Sequence, residues 1–356
     1  MMNKAEAVTK LEEAIEYRQT DLGRLLERVY DEVPEDALVK SKALVFAANG
    51  HVSMGAAGPN LIEQSWSLHD HALRQVADRV GIPGSWAAEW ADAPGPEEWK
   101  REALSKLFQR AYQEGDGRYL VRSVKGEARG FLSDRFRRLD TRPILEAAIE
   151  RIQHHGGLGY EGRGTDIRVA VKAVHPEIRE VMPGEWMAFG MEWHNSDYGS
   201  GAHEIRQFLL RLICTNGAVG ESMLRNVHLG SKLDESLVFS DKTYKLDTKT
   251  TISAMRDAVD AVFSEDAIDK ELARIEAAAA NEVSWAKVQA KLAKSFSKDE
   301  LRRIGEAYEG PDVLNLPKGQ SMWRVSNAIS WIGQQVESVD RRLEFERMAG
   351  AVLVVK

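Results

Sequence analysis

Two apolar runs separated by a polar loop constrain this chain more than any other feature. WMAFGMEW (186–193) and RQFLLRLICTNG (206–217) flank HNSDYGSGAHE (194–204). Each run is too short to cross a membrane; WMAFGMEW is apolar on both faces and reads as a central strand, and RQFLLRLICTNG is a second long apolar run. Upstream, DIRVAVKAV (166–174) alternates Ile167, Val169 and Val171 with Arg168 and Lys172, the pattern of a half-buried strand. YLVRSV and ARGFLS, joined by Lys125–Gly126–Glu127, predict a β-hairpin. Residues 116–232 therefore read as a β-rich, mostly antiparallel core.

Helical patterns lie on either side. Residues 4–32 space Leu11, Ile15, Leu22, Leu25, Leu26 and Val29 as one amphipathic helix that Pro34 ends. Two short helices broken at Gly81–Ile82–Pro83 follow, then a helix through Phe108 and Tyr112. The Gly/Ala-rich stretch 43–60 shows no period. From about 250 to 308 the chain is rich in Ala, Glu, Lys and Leu, and a final helix is predicted from about Ser321 to Met348. The predicted class is α+β, with an N-terminal helical region (1–115), the sheet core (116–232) and a C-terminal helical region (233–356).

Composition narrows the setting. At 43% hydrophobic and 29% charged residues, the chain has the balance of a globular protein. No stretch approaches a membrane span, and the polar, acidic N-terminus lacks the apolar core of a signal peptide. The single cysteine, Cys214, excludes an internal disulfide and reads as a buried, inert thiol. Cytoplasm is the expected location. The net charge of −7 arises wholly within the first hundred residues, which hold ten basic and seventeen acidic side chains. A basic face farther along remains open.

That face is GFLSDRFRRLD (130–140) and the hairpin before it. Arg122, Lys125, Arg129, Arg135, Arg137 and Arg138 outnumber Glu127, Asp134 and Asp140. Guanidinium forks suit phosphate oxygens, and Phe131 and Phe136 supply rings for base stacking. The bland alternative is a solvated strand edge.

Other motifs carry less. GLGYEG (157–162) matches G-x-G-x-x-G, but a helix precedes it and a strand follows, the reverse of a dinucleotide site, so it reads as a loop. His69 and His71, two apart on a helix, point away from each other. The helix pair around Gly81 resembles a helix–turn–helix, yet its second helix carries Trp86, Glu89, Trp90 and Asp92 and no cation, which favours core packing. His194, Asp197 and His203 converge on a mixed N/O metal site only if their strands pair across the loop. No cofactor or metal set is otherwise predicted, and no nucleophile–base pair is legible.

The blocks ALRQVADRVGIP, YLVRSVKGEARGFLSDRFRRLD, WHNSDYGSGAHEIRQFLLRLICTNG and WRVSNAISWIGQQVESVDRRLEFERMAG, in order from Leu61 to Gly350, resemble the phage- and plasmid-borne family catalogued as domain of unknown function 932. The resemblance implies a mobile-element setting in a bacterial host's cytoplasm. It directs attention to Asp134, to Asn195, Ser196 and Asp197, and to Thr215 and Asn216 as a polar cluster across the sheet. Where the family has an NSE-like sequence, this chain has Asp197, an acid of shorter reach.

Together these features support a non-enzymatic DNA-metabolism protein that binds single-stranded DNA through the basic hairpin, anneals strands, and forms homo-oligomers. One alternative is a metal-dependent enzyme on nucleic acid or nucleotide, using Asp134, Asp197 and His194 or His203. The other is an assembly protein whose terminal helices meet partners.

Overall fold

The computed structural model describes residues 2–354 except 49–50, 59–60, 215, 227–239 and 311–314. Helix α1 (Lys4–Asp31) opens on a capping box, Asn3 accepting from the Glu6 amide while Glu6 accepts from that of Asn3. Strands β1 (Glu35–Lys40), β2 (Leu44–Ala48), β3 (Val52–Gly58) and β4 (Leu61–Leu68) follow, then helices α2 (Asp70–Arg79), α3 (Gly84–Ala91) and α4 (Glu98–Glu114). The hairpin is β5 (Arg118–Val124) and β6 (Glu127–Ser133), after which comes α5 (Thr141–His154). Strands β7 (Leu158–Thr165), β8 (Arg168–Met182), β9 (Glu185–Asn195), β10 (His203–Arg211) and β11 (Asn216–Asn226) run consecutively. Helices α6 (Asp241–Val262), α7 (Glu265–Ala280), α8 (Trp285–Leu292), α9 (Lys298–Glu309), α10 (Met322–Gly333) and α11 (Val339–Ala351) complete the chain.

The α+β class holds, with two sheets in place of one. The first has the order β1-β5-β6-β4-β3-β2 and is antiparallel except where β4 meets β6. The second is the antiparallel meander β11-β10-β9-β8-β7. Four strands of the first sheet lie within residues 35–68, in the region expected to be helical. Alternation is weak there because the side opposite the core carries Val45, Ala47, Ser53 and Gly55, small or uncharged residues where charged ones would mark a wet face. Helices α2, α3 and α4 cover the core side through Leu73, Val76, Ala87, Leu104 and Phe108, and Trp86 and Trp90 pack at its margin, as core packing requires.

The second sheet is covered on both faces. On one side α5 and α6 pack Ile144, Ala148, Met255 and Val259 onto Val169, Val171, Met191 and Trp193. The other side carries charge in its interior. Lys172, expected on the wet face of a half-buried strand, is 2% exposed. Its Nζ lies 2.6 Å from Glu346 on α11, 3.0 Å from Glu161 and 3.7 Å from Glu192. A buried ammonium needs such partners, and here they fasten the last helix to the sheet.

GLGYEG is strand, not loop. Its glycines admit α1: a Cβ on Gly162 would stand 2.8 Å from the Leu22 Cα, and one on Gly159 2.6 Å from the Leu22 Cδ2. The predicted final helix divides into α10 and α11, and the long run 271–296 divides at Asn281–Ser284, where Glu282 bridges Ser321. Among the described residues, no helix is long and apolar enough to cross a membrane.

Candidate functional site

The β5–β6 hairpin turns on Lys125 and Gly126, both at positive φ (51° and 82°), the two-residue turn that suits strand twist. In the hairpin and the loop after it, the structure turns four of the eight predicted nucleic-acid residues inward. Arg122 is 1% exposed; it donates to Asp36 Oδ1 at 2.7 Å, to Asp140 Oδ1 at 2.6 Å and to the Asp197 carbonyl at 2.9 Å. Arg129 is buried against Glu32 (2.6 Å) and Glu127 (2.9 Å). Phe131 is wholly buried and stacks on Tyr119 at 4.6 Å, and Phe136 closes a small cluster with Leu120 and Leu132. These four cannot contact a strand in this structure. The cause is the acidic N-terminal region, whose Glu32 and Asp36 supply the anions that let two arginines go inside.

The loop after β6 behaves differently. Asp134 pairs with Arg118 at 3.2 Å, Arg137 grips Asp247 with two donors, and Arg138 lies over the Tyr244 ring at 4.9 Å. Asp247 and Tyr244 belong to α6, so the loop is a seat for the first half of that helix. Tyr244 Oη donates to the Asp134 carbonyl, and Thr248 Oγ1 to that of Arg138. On the outward side of the same turns stand Lys242, Lys245 and Lys249, all exposed and without an ion pair among the described residues. Spaced i, i+3, i+7, they form one row. Arg135 is half-buried within the loop, and Lys125 is exposed at the hairpin tip. The sequence reading missed the lysine row because it began this helix near residue 250. The N-cap Ser240 and the 3–4 spacing of lysines after it were the available signals.

Of the predicted polar cluster, Asn195, Ser196 and Asp197 come together and Asp134 does not join them. Thr215 lies outside the described residues, as does the side chain of Asn216. The loop between β9 and β10 lies at the seam of the two sheets. Asp140 precedes α5 but is drawn away to Arg122, so Asp197 caps that helix from another part of the chain. Its Oδ1 accepts from the Thr141 amide and hydroxyl, both at 2.8 Å, with the Asn195 amide at 3.4 Å. Ser196 Oγ donates to the Ile167 carbonyl and accepts from the Tyr198 and Ser200 amides, which fixes the loop. Burial lifts the Asp197 carboxyl to about 6, with Arg122 pulling it down and Asp140 pushing it up. A cleft of about 240 Å³ opens beside it.

The mixed N/O metal site does not assemble. His194 bonds Glu192, His203 Nδ1 accepts from Trp193 Nε1 at 3.0 Å, and Asp197 faces Thr141. Among the described residues, no three His, Cys, Asp or Glu side chains gather as metal ligands. Cys214 is half-buried rather than buried, and accepts from Arg211 Nη1 at 3.2 Å.

No family model, curated protein or solved structure matches this chain. The family resemblance rests on the quoted residues.

Proposed function

We propose that this protein is a DNA-metabolism protein of a phage or other mobile element that holds single-stranded DNA along the outer side of α6. Lys242, Lys245 and Lys249 contact phosphates, and Arg135 extends the basic surface from the loop below. The observation that supports this reading is the lysine row itself: three uncommitted cations on a helix bolted to the basic loop by Arg137–Asp247 and Arg138–Tyr244. Lysine serves phosphate as a point charge and needs no fixed fork geometry, which suits a mobile strand. Annealing of two strands would follow from several protomers presenting such rows together.

The test is fluorescence anisotropy with a labelled single-stranded oligonucleotide at about 50 and 200 mM salt, where phosphate contacts show as a salt slope near −0.7 per contact. Lys242→Glu, Lys245→Glu and Lys249→Glu combined should flatten that slope by about 2. Far-UV circular dichroism should stay unchanged, since none of the three has an ion-pair partner among the described residues. Absence of binding to the unaltered protein at the lower salt would overturn the reading and favour an assembly role.

A further inference from the structure

The seam cleft holds a carboxylate with one hand free. Asp197 is 9% exposed, and all the hydrogen bonds it accepts among the described residues reach Oδ1. Oδ2 accepts none and is not sealed from solvent, so it is left open to the cleft. The cleft beside it has apolar walls from Val29, Pro34, Pro143, Ile167 and Val169. Its other charges are largely answered in place. Arg28 faces Asp166 at 3.8 Å, Glu32 holds Arg129, Asp140 holds Arg122, Arg142 bonds Glu146, and Arg168 bonds Asp340 and Ser200. Such a cleft offers no net attraction to a phosphate. It suits an uncharged flat ring that brings one N–H to Oδ2.

We propose that the cleft binds an amino-substituted heterocycle of nucleobase size, its exocyclic amino group donating to Asp197 Oδ2. The base can belong to a free nucleoside or to an unpaired position of a strand. The cleft shares no residue with the lysine row of α6, so the site is independent of the function proposed above.

Cytidine and uridine differ at C4, amino against carbonyl, and at N3, acceptor against N–H; 3-methyluridine, which lacks both donors, reports the amino group alone. With Oδ1 occupied by three donors, a proton taken up by Asp197 resides on Oδ2 and turns an acceptor into a donor. Isothermal titration of the full chain at pH 7.5 should show cytidine binding about tenfold or more tightly than uridine or 3-methyluridine. At pH 5, below the Asp197 transition, the preference should shrink or invert. Asp197→Asn, with its carbonyl kept toward Thr141, presents an amide N–H to the cleft and should favour uridine at both pH values. Unaltered circular dichroism of that variant shows that it has folded. Displacement of cytidine by oligo-dC identifies the strand base as a ligand; retention identifies the free nucleoside, and either outcome supports the site. No binding of either nucleoside, or a preference that Asp197→Asn leaves unmoved, would overturn it.

Discussion

A carboxyl group that is buried, bonded through one oxygen and open through the other should reveal its cost in the pH dependence of stability. The Asp197 carboxyl titrates near 6 in the folded chain against an ordinary 3.8, so the native state holds its proton more tightly than the unfolded state does. Its contribution to stability is therefore fully present below about pH 4 and is lost as pH rises through 6. A gap of about two units at about 1.4 kcal/mol each bounds the loss at about 3 kcal/mol. Asp197→Asn carries no charge to desolvate. Urea unfolding at pH 7.5 should find the variant more stable by up to that amount, with the difference closing toward pH 4. A variant less stable at pH 7.5 would mean that the attraction of Arg122 outweighs burial. A gain would mark the native aspartate as kept at the expense of stability, as binding groups are.

At the level of elements, the last helix is the most closely seated. A Cβ on Gly350 would fall 1.8 Å from the Val219 carbonyl oxygen on β11, so α11 approaches the sheet as only glycine permits. Gly350→Ala must push the helix outward and loosen Glu346 from Lys172. Overpacking of this kind costs about 1–3 kcal/mol or more. A lowered denaturation midpoint, with new proteolytic cleavage after α10, is the expected result; an unchanged midpoint would show that the contact relaxes freely. Elements with a strong period were legible in the sequence: α1, the α2–α3 break at Gly81, and the hairpin at Lys125–Gly126. Strands β2 to β4 were not, since their outer face lacks the charge that makes alternation visible. GLGYEG misled because its glycines answer a helix that packs from 130 residues away or more, as Leu22 against Gly159 and Gly162 shows. The polar loop at Asn195–Asp197 could be read as a candidate site. Its partner Thr141, and the acids Glu32 and Asp36 that draw Arg129 and Arg122 inward, could not, because those pairings depend on the tertiary fold alone.

For the molecule as a whole, the acidic excess of the first hundred residues answers the basic middle of the chain from inside. Asp36 and Glu32 meet Arg122 and Arg129, so the uneven charge of the sequence becomes complementarity at the seam of the sheets. Arg122 is central to it: rooted in β5 of the first sheet, it reaches β1, the start of α5 and the Asp197 carbonyl beside the second sheet. Leu120, Leu132 and Phe136 close the same junction, and Gly130 admits the Tyr198 backbone, with its would-be Cβ 3.3 Å from the Tyr198 Cα. A junction that is both charged and apolar predicts that the two sheets unfold as one cooperative unit. Removing the guanidinium leaves Asp36 and Asp140, both reached by water, without their partner and strands the Asp197 carbonyl, a loss of about 1–3 kcal/mol. Hydrogen exchange should therefore give amides of β5–β6 and of β9–β10 the same global opening free energy, and Arg122→Ala should lower both together. If the variant lowered protection in the first sheet alone, the sheets would be separate folding units and the seam cleft a gap between domains. A common fall instead means that the cleft, the capped start of α5 and the Asp197 loop are held by the same cooperative structure, which is what a preformed binding site requires.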